Sequence, residues 1–321
     1  MGFETAAKPK GKNKVAVMKE KIKIMSSVLV FLLFFPYLIT IFLQGISIEN
    51  EEFLESATET LSVPKSKENK EDRERLISIL AKEIDINSEK EAVKAQAVIV
   101  RQNYNYALAK GTEPEEGLSV QEMMTQFGEN NFSVRYEELT QCMDETAGTQ
   151  ASFAGDMVML PFHAVSAGKT RSAKEISEKT AFPYLVGVDS TFDIPSENYL
   201  KVVYFEKTEF LAQLEQIFTG VVFSEEDILT QLVIDGRDSA SYVTSISAGG
   251  ISISGEDFRK RLGLNSACFS IGEADGKIRI VTKGLGHGLG LSEWGANELA
   301  KQGKDYIEIL KYYFPNIEIT E

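Results

Sequence analysis

The sequence is poor in the residues from which metal and redox sites are built: two histidines, two cysteines and one tryptophan in 321 residues. Tetrahedral zinc sites draw on clustered Cys and His spacings. Cys142, His163, Cys268 and His287 are scattered, so no metal is expected. In a compartment where disulfides persist the two cysteines could pair, and the sequence leaves that open. Neither GxGxxG nor GxxxxGK[ST] occurs, which argues against a phosphate-cradling loop and a nucleotide cofactor. No GxSxG elbow is present for a serine hydrolase. Positive charge is also scarce, with a formal net charge of −14. Seven lysines against two glutamates put the first 23 residues at +5 and leave the remainder near −19. A surface of that sign repels nucleic acid and anionic lipid and suits a neutral ligand.

What is present divides the chain into four. Residues 1–23 form a basic tail, and residues 24–44 contain IMSSVLVFLLFFPYLITIFL without a charge. A run of about 20 apolar residues spans the hydrocarbon core as a helix. The lysines before it predict a cytoplasmic N-terminus and an uncleaved anchor with everything beyond outside the membrane. Residues 45–75 are acidic and short of aromatics, the composition of a solvated tether. From 76 to 321 the pattern predicts one α+β domain of helices and antiparallel strands. LISILAKEI, EAVKAQAVIVRQNYNYALAKG and VRYEELTQCMDET carry helical spacing. ASFAGDMVML, LKVVYFEKTEFLAQLEQI, SYVTSISAGGISISGEDFRKRLGL and IRIVTKG read as strands, hairpins and strand–helix units. Near the end, Asp305 and Glu308 form a capping-box pattern, and Pro315 stops the last helix.

Two carboxylates stand near the first helices. At about 100° per residue, Glu91 heads a stripe with Lys94, Ala95, Val98, Arg101 and Gln102. Burial there would raise its pKa toward that of a general acid, whereas the helix N-terminus and Lys94 push the other way. Ser88 to Glu91 also reads as a capping box, so a structural role stands beside the chemical one. Glu83, ending the preceding apolar run, either faces the same cleft or is a solvated helix-end charge. His163 ends an apolar strand before a polar turn holding Ser166, Lys169 and Thr170, which suits a structural histidine as well as a functional one.

Residues 284–296, GLGHGLGLSEWGA, hold five glycines, the single tryptophan and one of the two histidines. Such a run needs positive φ or close approach of a ligand to the backbone. On the second reading His287 lies where a ligand approaches the backbone, and Trp294 offers a flat apolar face of the kind sugar rings stack upon; Trp294 serves equally as a core anchor.

These segments, in order, resemble the stage II sporulation protein D family. EAVKAQAVIVRQNYNYAL is similar to its EALKAQAVAARTYAL signature, PFHAVSAGKT to its FHSTSGGKT, and the stretch from GEDFRKRLGL through GLGHGLGLSEWGANELAKQG to its C-terminal signature. The resemblance covers about residues 76–320. It implies a peptidoglycan lytic transglycosylase with Glu91 as acid/base and an active-site cleft in the extracytoplasmic domain. The MurNAc C6 hydroxyl attacks to leave a 1,6-anhydro end, so no water need be positioned. It further implies glycan strands stripped by a cell-wall amidase as substrate, partners in the membrane engulfment machinery, and no cofactor. Glu83, Arg101, His163, Ser166, Lys169, His287, Ser292, Glu293 and Trp294 are the candidate substrate contacts. The sequence departs from the family pattern at Ala167, at Gln102 and Asn103, and at Glu293 in place of glutamine. Some relatives hold zinc through a histidine–cysteine cluster that is missing here. Two rival readings stand beside the enzyme: a non-catalytic glycan-binding enhancer of an amidase, and a structural membrane scaffold.

Overall fold

The computed structural model describes residues 69–85, 87–176 and 182–321. The basic tail, the apolar stretch at 24–44 and residues 45–68 lie outside them. Among the described residues no helix is long and apolar enough to cross a membrane.

The first half is a helical layer. α1 (Lys70–Glu83) begins inside the stretch read as tether. The Asn69 side chain accepts the Asp72 N–H at 2.9 Å, and Glu71 and Asp72 sit where the helix N-terminus favours negative charge. Residues 70–75 are therefore helical. α2 (Lys90–Lys110) ends at Gly111, whose φ of 69° closes the helix in the left-handed region. Its N-cap is Glu89, not Ser88, and no side chain caps it. α3 (Val120–Phe127) opens with a Ser119–Glu122 capping box, and α4 (Phe132–Glu145) follows. Leu76, Leu80, Val93, Ala97, Met123, Leu139 and Met143 close one core among these four helices.

β1 (Gln150–Phe153) and β2 (Asp156–Met157) form a hairpin, and β3 (Phe162–His163) follows. Gln102 and Asn103, two of the departures noted above, tie this segment to α2. The Gln102 amide donates to the Ala151 and Val158 carbonyls at 2.6 and 2.8 Å. Asn103 donates to the Leu160 carbonyl at 2.9 Å and accepts its N–H at 2.7 Å. After a short α5 (Ala173–Ile176) comes a single 3-10 turn at Thr191–Asp193.

A second core then builds up from strands. β4 (Leu200–Phe205) runs into α6 (Lys207–Ile217), and α7 (Ile228–Gln231) leads to β5 (Val233–Arg237). β6 (Val243–Ala248) and β7 (Ile251–Ser254) turn at Gly249-Gly250, and α8 (Gly255–Arg261) starts on the Ser254 cap. β8 (Phe269–Ala274) and β9 (Lys277–Lys283) complete antiparallel sheets ordered β4-β9-β8 and β5-β6-β7. Ile278 and Ile280 alternate inward along β9 to meet Phe205, Phe210, Phe258 and Phe269. β10 (Leu291–Ser292) returns to pair with β3, in parallel, before α9 (Glu293–Lys301) and α10 (Tyr306–Tyr313). α10 opens with the expected Asp305–Glu308 capping box. β11 (Glu318–Thr320) then adds to β1. Among the described residues the fold is α+β, and the strands named here pair antiparallel except for β3 with β10.

Candidate active site

Glu91 lies in the first turn of α2, where no capping box forms. One carboxylate oxygen accepts the Tyr306 N–H at 3.0 Å, and the other accepts the Lys94 ammonium at 2.8 Å. Its side chain keeps about a third of its surface open, at 31%. Lys94 also reaches Glu145 at 2.8 Å, and Lys90 meets Glu145 at the same distance. Burial disfavours charge on Lys94, but its two carboxylate partners outweigh this and hold the ammonium well above its ordinary range. Hydrogen bonds from Lys90 and Lys94 press the Glu145 carboxyl down to about 2. Glu91 thus stands at a junction of α2, α4 and α10, beside a fixed positive charge.

Arg101 turns away from that junction. Its guanidinium is buried and donates to the carbonyls of Thr146 and Met143 at 3.1 and 2.6 Å, fastening the end of α4. Expected as a substrate contact, it belongs to the scaffold.

The glycine run answers to the protein's own backbone. At Gly290, φ is 71° and an added Cβ would sit 1.9 Å from the Pro161 carbonyl oxygen. At Gly288, φ is 82° and a Cβ would meet the Tyr242 ring at 2.6 Å. Only glycine permits both the left-handed backbone and the contact. The run lies against the strand that carries His163, and the two imidazole rings are 5.7 Å apart. One residue serves both rings. The Leu289 carbonyl accepts from Nδ1 of His163 at 3.0 Å, and the Leu289 N–H donates to Nδ1 of His287 at 3.0 Å. These partners place the proton of His163 on Nδ1 and leave Nδ1 of His287 bare. Burial, then the neighbouring histidine, lowers the His163 pKa to about 3; burial, then Arg259 and Arg171, lowers that of His287 to about 4. Both are neutral at physiological pH. His163 is buried and its Nε2 has no partner, whereas His287 is partly exposed.

Ser166 and Ser292, expected at the ligand surface, are fully buried. The Ser292 hydroxyl donates to Oδ1 of Asp193 at 2.8 Å, while Oδ2 accepts the Ser166 N–H at 2.8 Å and the Ser190 hydroxyl at 3.0 Å. Burial raises the Asp193 pKa and these donors oppose the rise. Asp193 therefore fixes where β10 meets the 166–168 turn. Lys169 reaches across to the Ser239 hydroxyl at 3.0 Å. Trp294 is partly exposed, with its indole N–H given to the Phe192 carbonyl at 3.1 Å and the Lys301 ammonium 5.9 Å from its ring. Beneath the run, Arg171 and Asp238 form a buried ion pair at 2.6 Å, and the guanidinium lies 4.8 Å from the centre of the Tyr242 ring. No spacing in the sequence marks Asp193, Arg171, Asp238 or Glu145, since each gains its role from distant partners.

α9 links the two clusters. Ser292, at its N-cap, pairs with His163, and Asn297 accepts the Glu89 N–H at 2.7 Å, two residues before Glu91. The helix covers about 7.5 Å between Ser292 and Asn297. Glu293, at its first position, has a buried Oε1 with no partner. Burial, then the negative charge of Glu83, raises its carboxyl pKa to about 8. Cys142 and Cys268 are free and buried, and burial raises the Cys142 thiol to about 11. Among the described residues no group of three or more His, Cys, Asp or Glu is placed to hold a metal.

No family model matches the chain. Among curated proteins, stage II sporulation protein D of Bacillus amyloliquefaciens is 30% identical over 262 residues, covering 77% of this chain and 74% of its own length. The protein of that name from Bacillus subtilis is 29% identical over the same length and shares. The amidase enhancer of Bacillus subtilis is 34% identical over 73 residues, which is 22% of this chain and 10% of the enhancer. With the EAVKAQA helix, the His163 strand and the glycine run assembled around α9 in one fold, the chain belongs to the stage II sporulation protein D family.

Proposed function

We propose that the protein is a membrane-anchored lytic transglycosylase of sporulation cell-wall remodelling, cleaving MurNAc–GlcNAc bonds in peptide-stripped glycan. The observation that carries this reading is the setting of Glu91: a partly open carboxyl group at a helix start, with Lys94 and the Tyr306 N–H on its oxygens. Protonated Glu91 gives its proton to the glycosidic oxygen as the C1–O bond breaks. The resulting carboxylate then takes the proton of the MurNAc C6 hydroxyl as that oxygen bonds to C1. The proton returns to Glu91, no water is consumed, and the product carries a 1,6-anhydro ring.

The carboxylate formed in the first step is the species that Lys94 and the Tyr306 amide stabilise, and donors already in place at developing charge lower a barrier without reorganising. A positioned acid/base contributes about 10² to 10⁴ in rate. The neutral glycan suits a chain whose residues beyond the basic tail sum near −19. In this reading the apolar stretch at 24–44 is a membrane anchor with the domain on its outer side, and a cell-wall amidase is the source of stripped strands. Product masses after digestion of peptide-free glycan test the reading. Anhydro ends support it; reducing ends, or intact strands, defeat it.

The match to an amidase enhancer favours one second reading, in which the domain binds glycan and raises a partner amidase without cutting. Intact strands together with glycan affinity would select that alternative.

A further inference from the structure

Glu91 is not the most unusual carboxyl group in the molecule. Glu293 opens α9 with Oε1 shut away from solvent and no hydrogen-bond partner, while the side chain as a whole remains partly exposed. Asn297, one turn on and so on the same face of α9, receives the Glu89 N–H. That face is turned toward the start of α2, where Glu91 stands. On the other side, Ser292 pairs with His163, and Trp294 follows directly. Glu293 thus lies between the acid/base and the histidine pair.

The charged groups around it are committed elsewhere. From α1 comes Glu83, whose own cation is Lys82 at 3.3 Å and whose charge also pushes up the Glu115 carboxyl, after burial. On α2, Lys94 is shared by Glu91 and Glu145. In the 3-10 turn, Asp193 is taken up by serines. On α9 itself Lys301 pairs with Glu298, and before α10 Lys304 pairs with Glu308. The helix N-terminus favours an ionised Glu293, but burial and the Glu83 charge outweigh it. An unpaired carboxylate beside Glu83 is the costlier state, because burying charge without a partner is unfavourable and a like charge adds to it.

We propose that Glu293 is a second carboxylic acid of the glycan site, presenting an O–H donor to a sugar oxygen, with Glu83 as the carboxylate that keeps it in the acid form. This rests on the glycan-cleaving reading and adds a specificity residue to it: a neutral acid both donates to and accepts from hydroxyl groups, while a carboxylate only accepts. The burial and like charge that raise its pKa to about 8 give the donor a pH limit. As pH rises past that point the donor is lost, and affinity for a ligand that requires it falls about tenfold per pH unit.

Two measurements on the full chain test this separately from the function. In infrared difference spectra of the ligand-free protein, a carboxylic acid C=O band present at neutral pH should vanish with a midpoint near 8. The band should be missing in Glu293→Gln, and in Glu83→Gln its midpoint should move to lower pH. A spectrum with no such band at pH 7 overturns the proposal. Binding of amidase-stripped glycan strands should weaken above that midpoint in wild type and stay level in Glu293→Gln, whose amide keeps donor and acceptor. Level binding in wild type, or an equal fall in the variant, overturns the donor role while leaving the glycan-cleaving reading intact. No binding by either protein at any pH defeats that reading, and the donor role with it.

Discussion

The α2 start and the glycine run solve opposite problems. Around Glu91 the side chains are charged, partly open and satisfied by donors: Lys94, the Tyr306 amide and, one step away, Lys90 and Glu145. Around His163 and His287 the backbone itself is packed against backbone, the imidazoles are neutral, and the Arg171–Asp238 ion pair is sealed inside. The first region leaves a carboxyl group partly open beside a cation. The second is packed so closely that no side chain fits at Gly288 or Gly290. A site that holds a sugar linkage over one acid needs both, since a small misplacement costs a large share of the rate advantage.

The sharpest way to break the comparison is in the glycines. Gly290→Ala forces a Cβ into the Pro161 carbonyl at positive φ and should cost about 3 kcal/mol or more in urea unfolding. Gly303→Ala has the same sign of φ, at 87°, and open space around it, so the cost there should stay near 1 kcal/mol. Equal losses would mean that the run is not held by close backbone contact. Asp238→Ala, which leaves the Arg171 guanidinium buried without its carboxylate, should cost about 3–5 kcal/mol.

The dependence of stability on pH also separates the two regions. The folded His163 pKa lies at about 3 against an ordinary 6.5, so an unfolded chain takes up that proton first. The stability His163 contributes is present above pH 6.5 and is lost as pH falls from there toward 3. Glu293 runs the other way: raised from 4.5 to about 8, its contribution is full below 4.5 and is lost as pH rises to 8. In urea titrations, Glu293→Gln should therefore gain on wild type steadily from pH 4.5 to 8 and then level off, with the acid limb unchanged. A constant difference across that range would contradict the burial assigned to Glu293.

Much of this was legible in the sequence because local chemistry carried it. The Asp305–Glu308 box, the Gly111 stop, the Gly249-Gly250 hairpin and the inward alternation of β9 each follow from a few adjacent residues. Ser119 and Glu122 carry the same capping signal for α3. Ser88 to Glu91 looked equally local and proved otherwise: the tertiary partner Tyr306, 215 positions away, takes the Glu91 oxygen that a capping box would have used. Long-range partners also explain why Arg101, Ser166 and Ser292 read as ligand contacts yet serve the frame. Of the two reasons a glycine run can have, positive φ holds at Gly284, Gly286, Gly288 and Gly290. That its close approach is to Pro161 and Tyr242 could not be read from spacing.

The smallest expected effect on stability accompanies the largest expected effect on chemistry. Glu91→Gln keeps an acceptor for the Tyr306 amide and loses a partly exposed ion pair, so unfolding free energy should shift by less than about 1 kcal/mol. The most direct measurement is the rate at which wild type and Glu91→Gln form 1,6-anhydro ends on peptide-free glycan, with the variant confirmed folded. A fall of about 10² to 10⁴ in the variant is the predicted result. Anhydro product at the wild-type rate would contradict the assignment of Glu91 as the group that carries the proton.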